Sequence, residues 1–423
     1  MLQVYRYLTY FLFPWLIILI YFRSIFTKED KTRFKEKIFS SHFNVNRDYK
    51  KKLVWFHAVS IGECLSILPL IKKLNQNNKN LNFLITSSTL SSSKLLKKKI
   101  GEDKNIIHRF FPLDIESVSE NFLNAWKPDI VCFIDSEIWP NFLFKIKEKN
   151  IPLLLINARL TKKTFKKWSV VLNFAKKVFN NFDLCLPSSE ESKYNLSQLN
   201  VKKLNYIGNL KYSAQSIFDE LNNTNKKILD NYKTWCAAST HNGEENIILK
   251  THIEIKKKYK NVLTIIVPRH INRCGYVHEL SKKFNLNTQI LNDRDKINAN
   301  IEILIINSFG VVPKYFNYCK NIFIGKSFVK KIKNDSGQNP IEAAKLGCKV
   351  FHGPYVYNFQ EVYDLLNSYG LAEKITNEQE LAKKIIENFE NPTKTNLQQL
   401  NLLNNYGEKI LNETAREIDK YLK

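Results

Sequence analysis

Short apolar runs recur along this chain from Leu53 onward, and segments long enough to form a helix separate them. They fall into two series: LVWFHAV (53–59), FLITSS (83–88), IVCFIDS (130–136), LLLIN (153–157) and LCLPS (184–188), then WCAAS (235–239), LTIIVP (263–268), ILIINS (303–308), IFIGKS (322–327) and KVFHG (349–353). Strands that alternate with helices at this spacing form parallel sheets covered by helices on both faces. The sequence therefore predicts an α/β protein with two Rossmann-like, doubly wound domains.

The polar stretch 222–232 lacks strand signals and separates the two series. We place a linker at 213–232, an N-terminal domain at 28–212 and a C-terminal domain at 233–423. A return of the last helix to the N-terminal domain is left open. Residues 1–27 form a separate segment before both domains.

Sixteen residues without a charge, 7–22, lie between Arg6 and Arg23. This run is short for the roughly 20 residues of a membrane-spanning helix, but terminal aromatics and flanking arginines extend its reach. A cleaved signal peptide is the alternative, although no small-residue cleavage site follows. Six basic residues from Arg23 to Lys37 follow the run, which predicts a helix that spans or inserts, with the rest of the chain in the cytoplasm. A chain that begins near Phe43 is expected to fold without this anchor.

The charge of the chain points to an anionic partner, because 65 Lys and Arg face 40 Asp and Glu, a net charge of +25. Nucleic-acid-binding proteins cluster basic residues with interleaved aromatics. Here the lysines are dispersed, so we favour a solvated surface and an anionic membrane, and expect no nucleic acid. Seven cysteines without a Cys-x-x-Cys pair argue against a zinc cluster or a disulfide framework.

Polar motifs follow the apolar runs, where ligands of open α/β sheets bind. Two Rossmann-like halves with such motifs predict a cleft between domains, the arrangement of GT-B nucleotide-sugar transferases. The motifs, in chain order, are WFHAVSIGE, DSEIWPNFL, INARLTKKTFKKW, GNLKYS, AASTHNGEE, IIVPRHINR and GQNPIEAAKLG with GPYVYNF. In sequence and in order they resemble those of the 3-deoxy-D-manno-octulosonic acid (Kdo) transferase family, and the resemblance covers nearly the whole chain.

The resemblance implies transfer of Kdo from the donor CMP-Kdo to a hydroxyl of the lipid A precursor, lipid IVA, with inversion at the anomeric carbon. It also implies a location at the cytoplasmic side of the cell inner membrane, held by the N-terminal anchor. The alternatives are another GT-B transferase, a nucleotide-sugar epimerase and, less favoured, a basic nucleic-acid-binding protein.

Three residues are the expected catalytic groups by this resemblance: Glu63, Glu137 and Lys211. Inverting transfer needs a base for the acceptor hydroxyl, and Glu63 stands after Gly62 where a strand ends; a first-turn Glu favoured by the helix dipole is the alternative. Glu137 is expected to stabilise the transition state, while Asp135 should point to the other face of the strand. Lys211 would offset the charges of phosphate and sugar carboxylate, unless it is one more surface lysine.

The donor site is expected in the second series. Pro268 and Arg269 would border CMP, because a guanidinium contacts phosphate at two points. His270 is a phosphate contact or a structural histidine. Phe309 and Gly310 would offer backbone contacts to cytidine. Val311 stands where the family usually has an acidic residue, which puts a side-chain contact there in doubt.

A turn that opens a helix completes the expected donor site. The resemblance implies contacts from Asn339, Pro340, Ile341 and Glu342. Helix N-termini bind phosphate through free amides, and Glu342 would hold the ribose hydroxyls. Ser336 and Gln338 depart from the glycine and histidine usual in the family.

Two further motifs receive weaker predictions. Ser239 and Thr240 precede a helix and are capping residues first, contacts to the ligand second. Asp293 and Asp295 resemble the paired carboxylates of metal-dependent transferases, but they lie in a polar loop. A CMP-sugar has one phosphate, so we expect no metal or other cofactor.

Overall fold

The computed structural model describes residues 1–26, 28–101, 103–214, 221–293, 295–308, 311–330, 335–391 and 397–422. The chain divides into two compact units, Met1–Gln215 with Tyr406–Lys423 and Ser216–Asn405. Each unit contains its own parallel sheet.

In the first unit, the described residues form a six-stranded sheet in the order β3-β2-β1-β4-β5-β6. Its strands are β1 Lys52–His57, β2 Leu81–Ser87, β3 Ile106–Phe110, β4 Ile130–Ile134, β5 Leu153–Ala158 and β6 Leu184–Pro187. The central strand β1 pairs in parallel with β2 and β4, so that Val54 lies opposite both Phe83 and Ile130. Helices cover the sheet, which is why its inner strands are apolar on both faces.

The second unit contains, over the residues that are described, a seven-stranded sheet in the order β13-β12-β11-β7-β8-β10-β9. The strands are β7 Lys233–Thr240, β8 Val262–Pro268, β9 Thr288–Leu291, β10 Ile303–Ile306, β11 Asn321–Ile324, β12 Lys349–His352 and β13 Ala372–Lys374. Every pairing in it is parallel. The predicted pair of doubly wound domains is therefore confirmed.

The helices follow the strands in sequence, and several begin after a Ser, Thr or Asn side chain that accepts a bond from the first-turn amides, as at Ser60 and Ser189. In the first unit they are α1 Leu2–Ile25, α2 Ile61–Asn77, α3 Leu90–Ile100, α4 Glu116–Trp126, α5 Pro140–Glu148, α6 Lys162–Ser169, α7 Leu172–Phe179 and α8 Glu190–Ser197. Then come α9 Asn223–Leu229, α10 Glu244–Lys258, α11 Cys274–Lys283, α12 Val312–Phe316, α13 Ile341–Lys345, α14 Gln360–Ser368, α15 Glu378–Glu390 and α16 Leu397–Asp419.

The segment assigned to a linker contains helix α9 and packs in the second unit. Asn225 is buried; its side chain donates to Asp295 O (3.1 Å) and accepts from Ile297 N (3.0 Å). Leu229 is also buried. The described residues 221–232 are thus part of the second unit, and α16 crosses from the second unit into the first at Tyr406.

Helix α1 packs on the first unit along one stripe. The Tyr5 hydroxyl donates to Asp114 Oδ2 (2.8 Å), and Arg6 forms ion pairs with Glu116 (3.0 Å) and Glu148 (3.3 Å). Apolar side chains of α1 also contact the unit: Phe13, Ile17 and Ile20. Among the described residues, α1 is the one helix long and apolar enough to cross a membrane.

The segment after α1 is also built into the first unit. Phe34, Ile38 and Phe43 are buried, and Glu36 accepts a bond from the Phe110 amide (2.8 Å). A chain that begins near Phe43 would lose this packing. We therefore expect such a chain to be destabilised, which reverses the expectation from the sequence.

Half of the six basic residues from Arg23 to Lys37 are paired inside the fold. Glu29 contacts both Arg23 (2.9 Å) and Lys37 (2.6 Å), and Arg33 contacts Glu36 (2.8 Å). An internal partner neutralises each of these charges. The expectation that all six basic residues attract an anionic surface therefore overstates the charge that is available to that surface.

Candidate active site

Glu63 lies in the first turn of α2, directly after the central strand of the first sheet. Its carboxylate accepts bonds from Ser60 Oγ (2.6 Å) and the Val59 amide (2.8 Å), while Ser60 Oγ accepts from the Glu63 amide (3.3 Å). This is a reciprocal capping arrangement. Glu63 is thus a first-turn residue of α2, as the alternative has it, and it also caps the helix.

The surroundings of Glu63 also favour the protonated carboxyl. Burial raises its pKa most, and the negative charges of Asp135 and Glu137 raise it further, against the lowering effect of the bonds from Ser60 and Val59. A carboxyl group with a raised pKa is a better proton acceptor near neutral pH than an ordinary Glu. Capping and proton transfer can thus reside in the same residue.

The expectation that Asp135 points away from Glu137 is wrong, because the charges of both residues reach Glu63 and raise its pKa. Asp135 follows the last residue of β4 and has a left-handed backbone, with φ 63°, so the alternation of a strand does not apply. Its amide donates to Ile156 O (3.1 Å) and its carbonyl accepts from Arg159 N (3.0 Å). These bonds to the neighbouring strand and loop fix the turn.

Lys211 is the cationic partner of Asp135. Its Nζ donates to Asp135 Oδ2 (3.3 Å), and both side chains are mostly buried, with 20% and 10% exposed. The short 3-10 helix Leu210–Ser213 that carries Lys211 is held by Asn157 Oδ1, which accepts from the Leu210 amide (2.8 Å). A buried partner of this kind separates Lys211 from the many surface lysines.

Glu137 lies between an indole and an imidazole. Its Oε2 accepts from Trp139 Nε1 (2.8 Å), and His57 Nε2 lies 3.4 Å from the same oxygen. The structure thus brings the three expected catalytic residues of the first unit to one edge of the sheet. It adds Asp135 and His57, whose only signal in the sequence is a position at the end of a buried strand.

In the second unit, three loops at the carboxyl ends of strands approach each other so closely that glycine is needed. A Cβ on Gly325 would lie 2.6 Å from Ser239 O, and one on Gly353 would lie 2.3 Å from Ser327 O. Glu244 joins the same loops, because its carboxylate accepts from four amides: Lys326, Ser327, Phe328 and His241. A rigid loop platform results.

A cluster of basic groups lies on this platform. Arg269 and His270 are exposed after β8, and the Arg269 amide donates to Thr240 O (3.1 Å). Burial lowers the pKa of His241, and the charges of Lys326, His270 and Arg269 lower it further, so these groups are close neighbours. Lys326, which has φ 61°, was missed; the signal is the GKS sequence after a strand.

The side chain of Thr240 is not available to a ligand. It is fully buried, and its hydroxyl donates to Glu245 Oε1 (3.3 Å). The secondary contact at Thr240 stays a prediction that concerns the backbone of this turn. Ser239 is half-buried and has φ 57°, and its carbonyl oxygen lies against His241 Nδ1 at 3.0 Å.

The turn before α13 is partly satisfied within itself. Asn339 is exposed, and its Oδ1 accepts from the Ile341 amide (3.1 Å), so this amide is not free for phosphate. The side chain of Ile341 is 2% exposed and belongs to the core; Pro340 is buried as well. Of the residues predicted to contact the donor in this turn, Glu342 therefore remains the candidate for a side-chain contact. Burial raises its pKa to about 7.

The remaining predicted positions divide into three groups. Pro268 is buried at the end of β8, and Val311 is half-buried before α12. Phe309 and Gly310 lie outside the described residues. Asp295 accepts bonds from the amide and side chain of Asn292. Over the described ranges, no group of three His, Cys, Asp or Glu side chains could hold a metal ion.

The chain is similar in sequence to known proteins over most of its length. The model of a family described as 3-deoxy-D-manno-octulosonic-acid transferase (kdotransferase) matches residues 32–214. The 3-deoxy-D-manno-octulosonic acid transferase of Rickettsia bellii is 30% identical over 357 residues, which are 84% of this chain and 82% of the relative.

Solved structures resemble the chain over both units. A putative UDP-N-acetylglucosamine 2-epimerase of Listeria monocytogenes matches with a TM-score of 0.63 and 14% identity, over 88% of this chain and 97% of the other. A glycosyltransferase of Rickettsia africae matches with a TM-score of 0.55 and 15% identity, over 89% and 100%. At such identities the likeness shows the fold alone, and it confirms the predicted GT-B type.

Proposed function

The chain belongs to the 3-deoxy-D-manno-octulosonic acid (Kdo) transferase family, and on this premise we propose that it transfers Kdo from CMP-Kdo to a hydroxyl of lipid IVA, with inversion at the anomeric carbon. It is thus a glycosyltransferase. Donor, acceptor and stereochemistry are the proposed part.

One observation carries the proposal: Glu63 has a raised pKa near Asp135 and Glu137, and Asp135 is paired with the mostly buried Lys211. In the proposed reaction, the Glu63 carboxylate takes the proton of the acceptor hydroxyl while its oxygen attacks the anomeric carbon. The bond from that carbon to the CMP phosphate breaks, and the phosphate leaves with the electron pair. Attack opposite the leaving group gives the inversion.

Lys211 and Glu137 assist through their charges. Positive charge on the sugar ring develops in the transition state, and the Glu137 carboxylate stabilises it, while the Lys211 ammonium stabilises the anionic groups of the donor. Because Trp139 and Asp135 already hold these two side chains, little reorganisation is needed during the reaction.

The second unit supplies the donor site in this proposal. Arg269 and Lys326 are the charged groups that suit one phosphate, and a guanidinium binds it through two parallel bonds; the lowered pKa of His241 leaves that imidazole neutral. Glu342 is the acceptor for ribose hydroxyls. Arg269 and Lys326 offer the phosphate positive charge without any metal ion.

The outward stripe of α1 supports a membrane location. Large apolar side chains lie exposed along it, with Tyr7, Tyr10 and Phe11 exposed by 72%, 72% and 73% and Trp15 by 65%. Since the opposite stripe packs on the first unit, we propose that α1 lies in the plane of the membrane surface and does not cross it. This would place the first unit next to a lipid acceptor at the cytoplasmic side of the inner membrane.

Mass spectrometry of lipid IVA after incubation with the full-length chain and CMP-Kdo tests the proposal. We expect a product heavier by one Kdo or more. In parallel reactions, UDP-N-acetylglucosamine replaces CMP-Kdo to test transfer and epimerisation. Unchanged lipid IVA together with epimerised UDP-N-acetylglucosamine would reject the proposal in favour of an epimerase.

A further inference from the structure

His57, the last residue of β1, is a buried imidazole among aromatic rings. Its side chain is 0% exposed, it stacks on Phe111 with a centroid distance of 3.8 Å, and Phe133 meets it edge-on at 5.4 Å. A neutral imidazole has one donor and one acceptor nitrogen, and both need partners when they are buried. The partners of His57 therefore decide which nitrogen carries the proton.

Thr86 decides the proton position. Its Oγ1 accepts from Trp55 Nε1 (2.9 Å) and lies 3.0 Å from His57 Nδ1. The hydroxyl has a single proton to donate, and its other acceptor, Phe56 O, is 3.5 Å away. The shorter contact favours donation to Nδ1, so the imidazole proton is on Nε2.

Nε2 lies next to the candidate active site. Across the described residues, this atom has no hydrogen-bond partner of ordinary geometry, and Glu137 Oε2 lies 3.4 Å from it. Hydrogen bonds of catalytic groups are often long before substrates bind and tighten in the reacting complex. A buried donor at this distance from a carboxylate is placed to donate a hydrogen bond to it.

The reverse tautomer fits the surroundings poorly. Nδ1–H could donate to Thr86 O, which is 3.2 Å away. In that arrangement the Nε2 lone pair would face the oxygen of Glu137, and two acceptors would oppose each other. The Thr86 hydroxyl would also lose its short acceptor.

We propose that His57 is a positioning residue for Glu137. Trp55, Thr86 and His57 form a relay of hydrogen bonds that fixes the proton on Nε2, and when substrates bind Nε2–H joins Trp139 Nε1–H in donating to Glu137 Oε2. The inference rests on the proposed function, in which Glu137 stabilises the transition state.

Substitution of Thr86 tests the relay without touching His57 or Glu137. Thr86→Val removes the hydroxyl and frees Nδ1–H to donate to the carbonyl of residue 86. We expect kcat to fall at least about tenfold, in line with other residues that orient a catalytic group, while KM for CMP-Kdo changes less than about twofold. Thr86→Ser keeps the hydroxyl and should keep kcat near wild type. Ile85→Val, a fully buried neighbour, controls for loss of packing.

Nitrogen-15 NMR of histidine-labelled full-length protein gives a readout that activity does not affect. We expect a protonated Nε2 on His57 in the wild type and in Thr86→Ser, and a protonated Nδ1 in Thr86→Val. A protonated Nδ1 in the wild type overturns the inference, as does an unchanged kcat in a Thr86→Val protein with the shifted proton. A wild-type chain without any Kdo transfer overturns the proposed function and the role of Glu137 with it, so the two failures are distinguishable.

Discussion

Lys211 Nζ donates a 3.3 Å hydrogen bond to Asp135 Oδ2 at the carboxyl edge of the first sheet. Glu63 is therefore close to two carboxylates: Asp135, whose charge Lys211 balances, and Glu137, which accepts a bond from Trp139 Nε1. Negative charge is concentrated around Glu63, and each of the two neighbouring carboxylates has a partner. Glu63 is therefore the group whose removal should affect the chemistry most.

Glu63→Gln is expected to lower kcat by about 10²–10⁴, because the amide keeps the shape but cannot accept the proton. Binding of CMP, which we propose for the second unit, should stay near wild type in calorimetry. The substitution also weakens the cap of α2. Ser189→Ala removes a comparable cap from α8, where Ser189 Oγ accepts from Ser192 N (3.1 Å); it should cost about 1 kcal/mol of stability and no activity. A Glu63→Gln enzyme within threefold of wild type would show that Glu63 is not the base.

The pH dependence of kcat/KM should report the raised pKa of Glu63. The base is active when deprotonated, so the rate falls about tenfold per pH unit below that pKa. Glu137→Gln removes a negative charge that raises the pKa and should move the acid limb to lower pH. Glu190→Gln, on the exposed start of α8, changes the net charge equally and should not move it. An acid limb at the same pH in Glu137→Gln would contradict the coupling.

Arg269→Ala should weaken CMP binding by about tenfold to a hundredfold, since a charged hydrogen bond to phosphate contributes about 1.5–3 kcal/mol. Titration calorimetry of the full chain with CMP measures this. Lys260 is exposed before the amino end of β8, whereas Arg269 follows its carboxyl end. Lys260→Ala is therefore the matched control and should bind CMP normally; equal affinities in both variants would refute the donor site.

Glu342 should make the second unit less stable as pH rises. Burial raises its pKa from 4.5 to about 7, so the folded state binds the proton more tightly than the unfolded state. Stability is then highest below about pH 4.5 and falls until about pH 7, by up to about 3 kcal/mol. At pH 8, Glu342→Gln should unfold at a higher temperature than the wild type, and it should bind CMP more weakly.

Glu254→Gln is the control for this prediction, because Glu254 forms a surface ion pair with Lys257 on α10. It should shift the unfolding temperature little, since exposed ion pairs contribute about 0–1 kcal/mol. A Glu342→Gln protein that is less stable than wild type at pH 8 would mean that the carboxylate has a stabilising partner when charged.

The sequence predicts the inner strands and the buried edge strand β6, but it misses the other three edge strands. The runs around Trp55 and Ile266 are apolar throughout because helices cover both faces of an inner strand. Strands β3, β9 and β13 lie at sheet edges and are only partly buried, so they lack an apolar run and were missed. Burial at the edge of a sheet depends on tertiary packing that no local pattern encodes.

The candidate site shows the same limit. Glu63, Glu137 and Lys211 could be named because they stand in motifs at strand ends. Asp135 could not be placed, because its contact with Lys211 depends on a left-handed backbone at φ 63°. His57 reads as an ordinary strand residue, and only its distance to Glu137 distinguishes it.

Membrane contact through α1 can be tested on its exposed stripe without disturbing the packed one. Phe11→Asp with Trp15→Asp changes two side chains that are 73% and 65% exposed, and each apolar side chain of this size contributes about 1.5–3 kcal/mol when buried. We expect this protein to stay folded and to bind CMP, but to lose most of its sedimentation with anionic vesicles. Tyr194→Asp with Tyr276→Asp introduces the same charge at side chains that are 67% and 52% exposed, and it should sediment like wild type. Raised salt should reduce wild-type retention only modestly, because three of the six basic residues from Arg23 to Lys37 are paired internally. Equal retention of the two double variants would show that the exposed stripe of α1 does not hold the protein at the membrane.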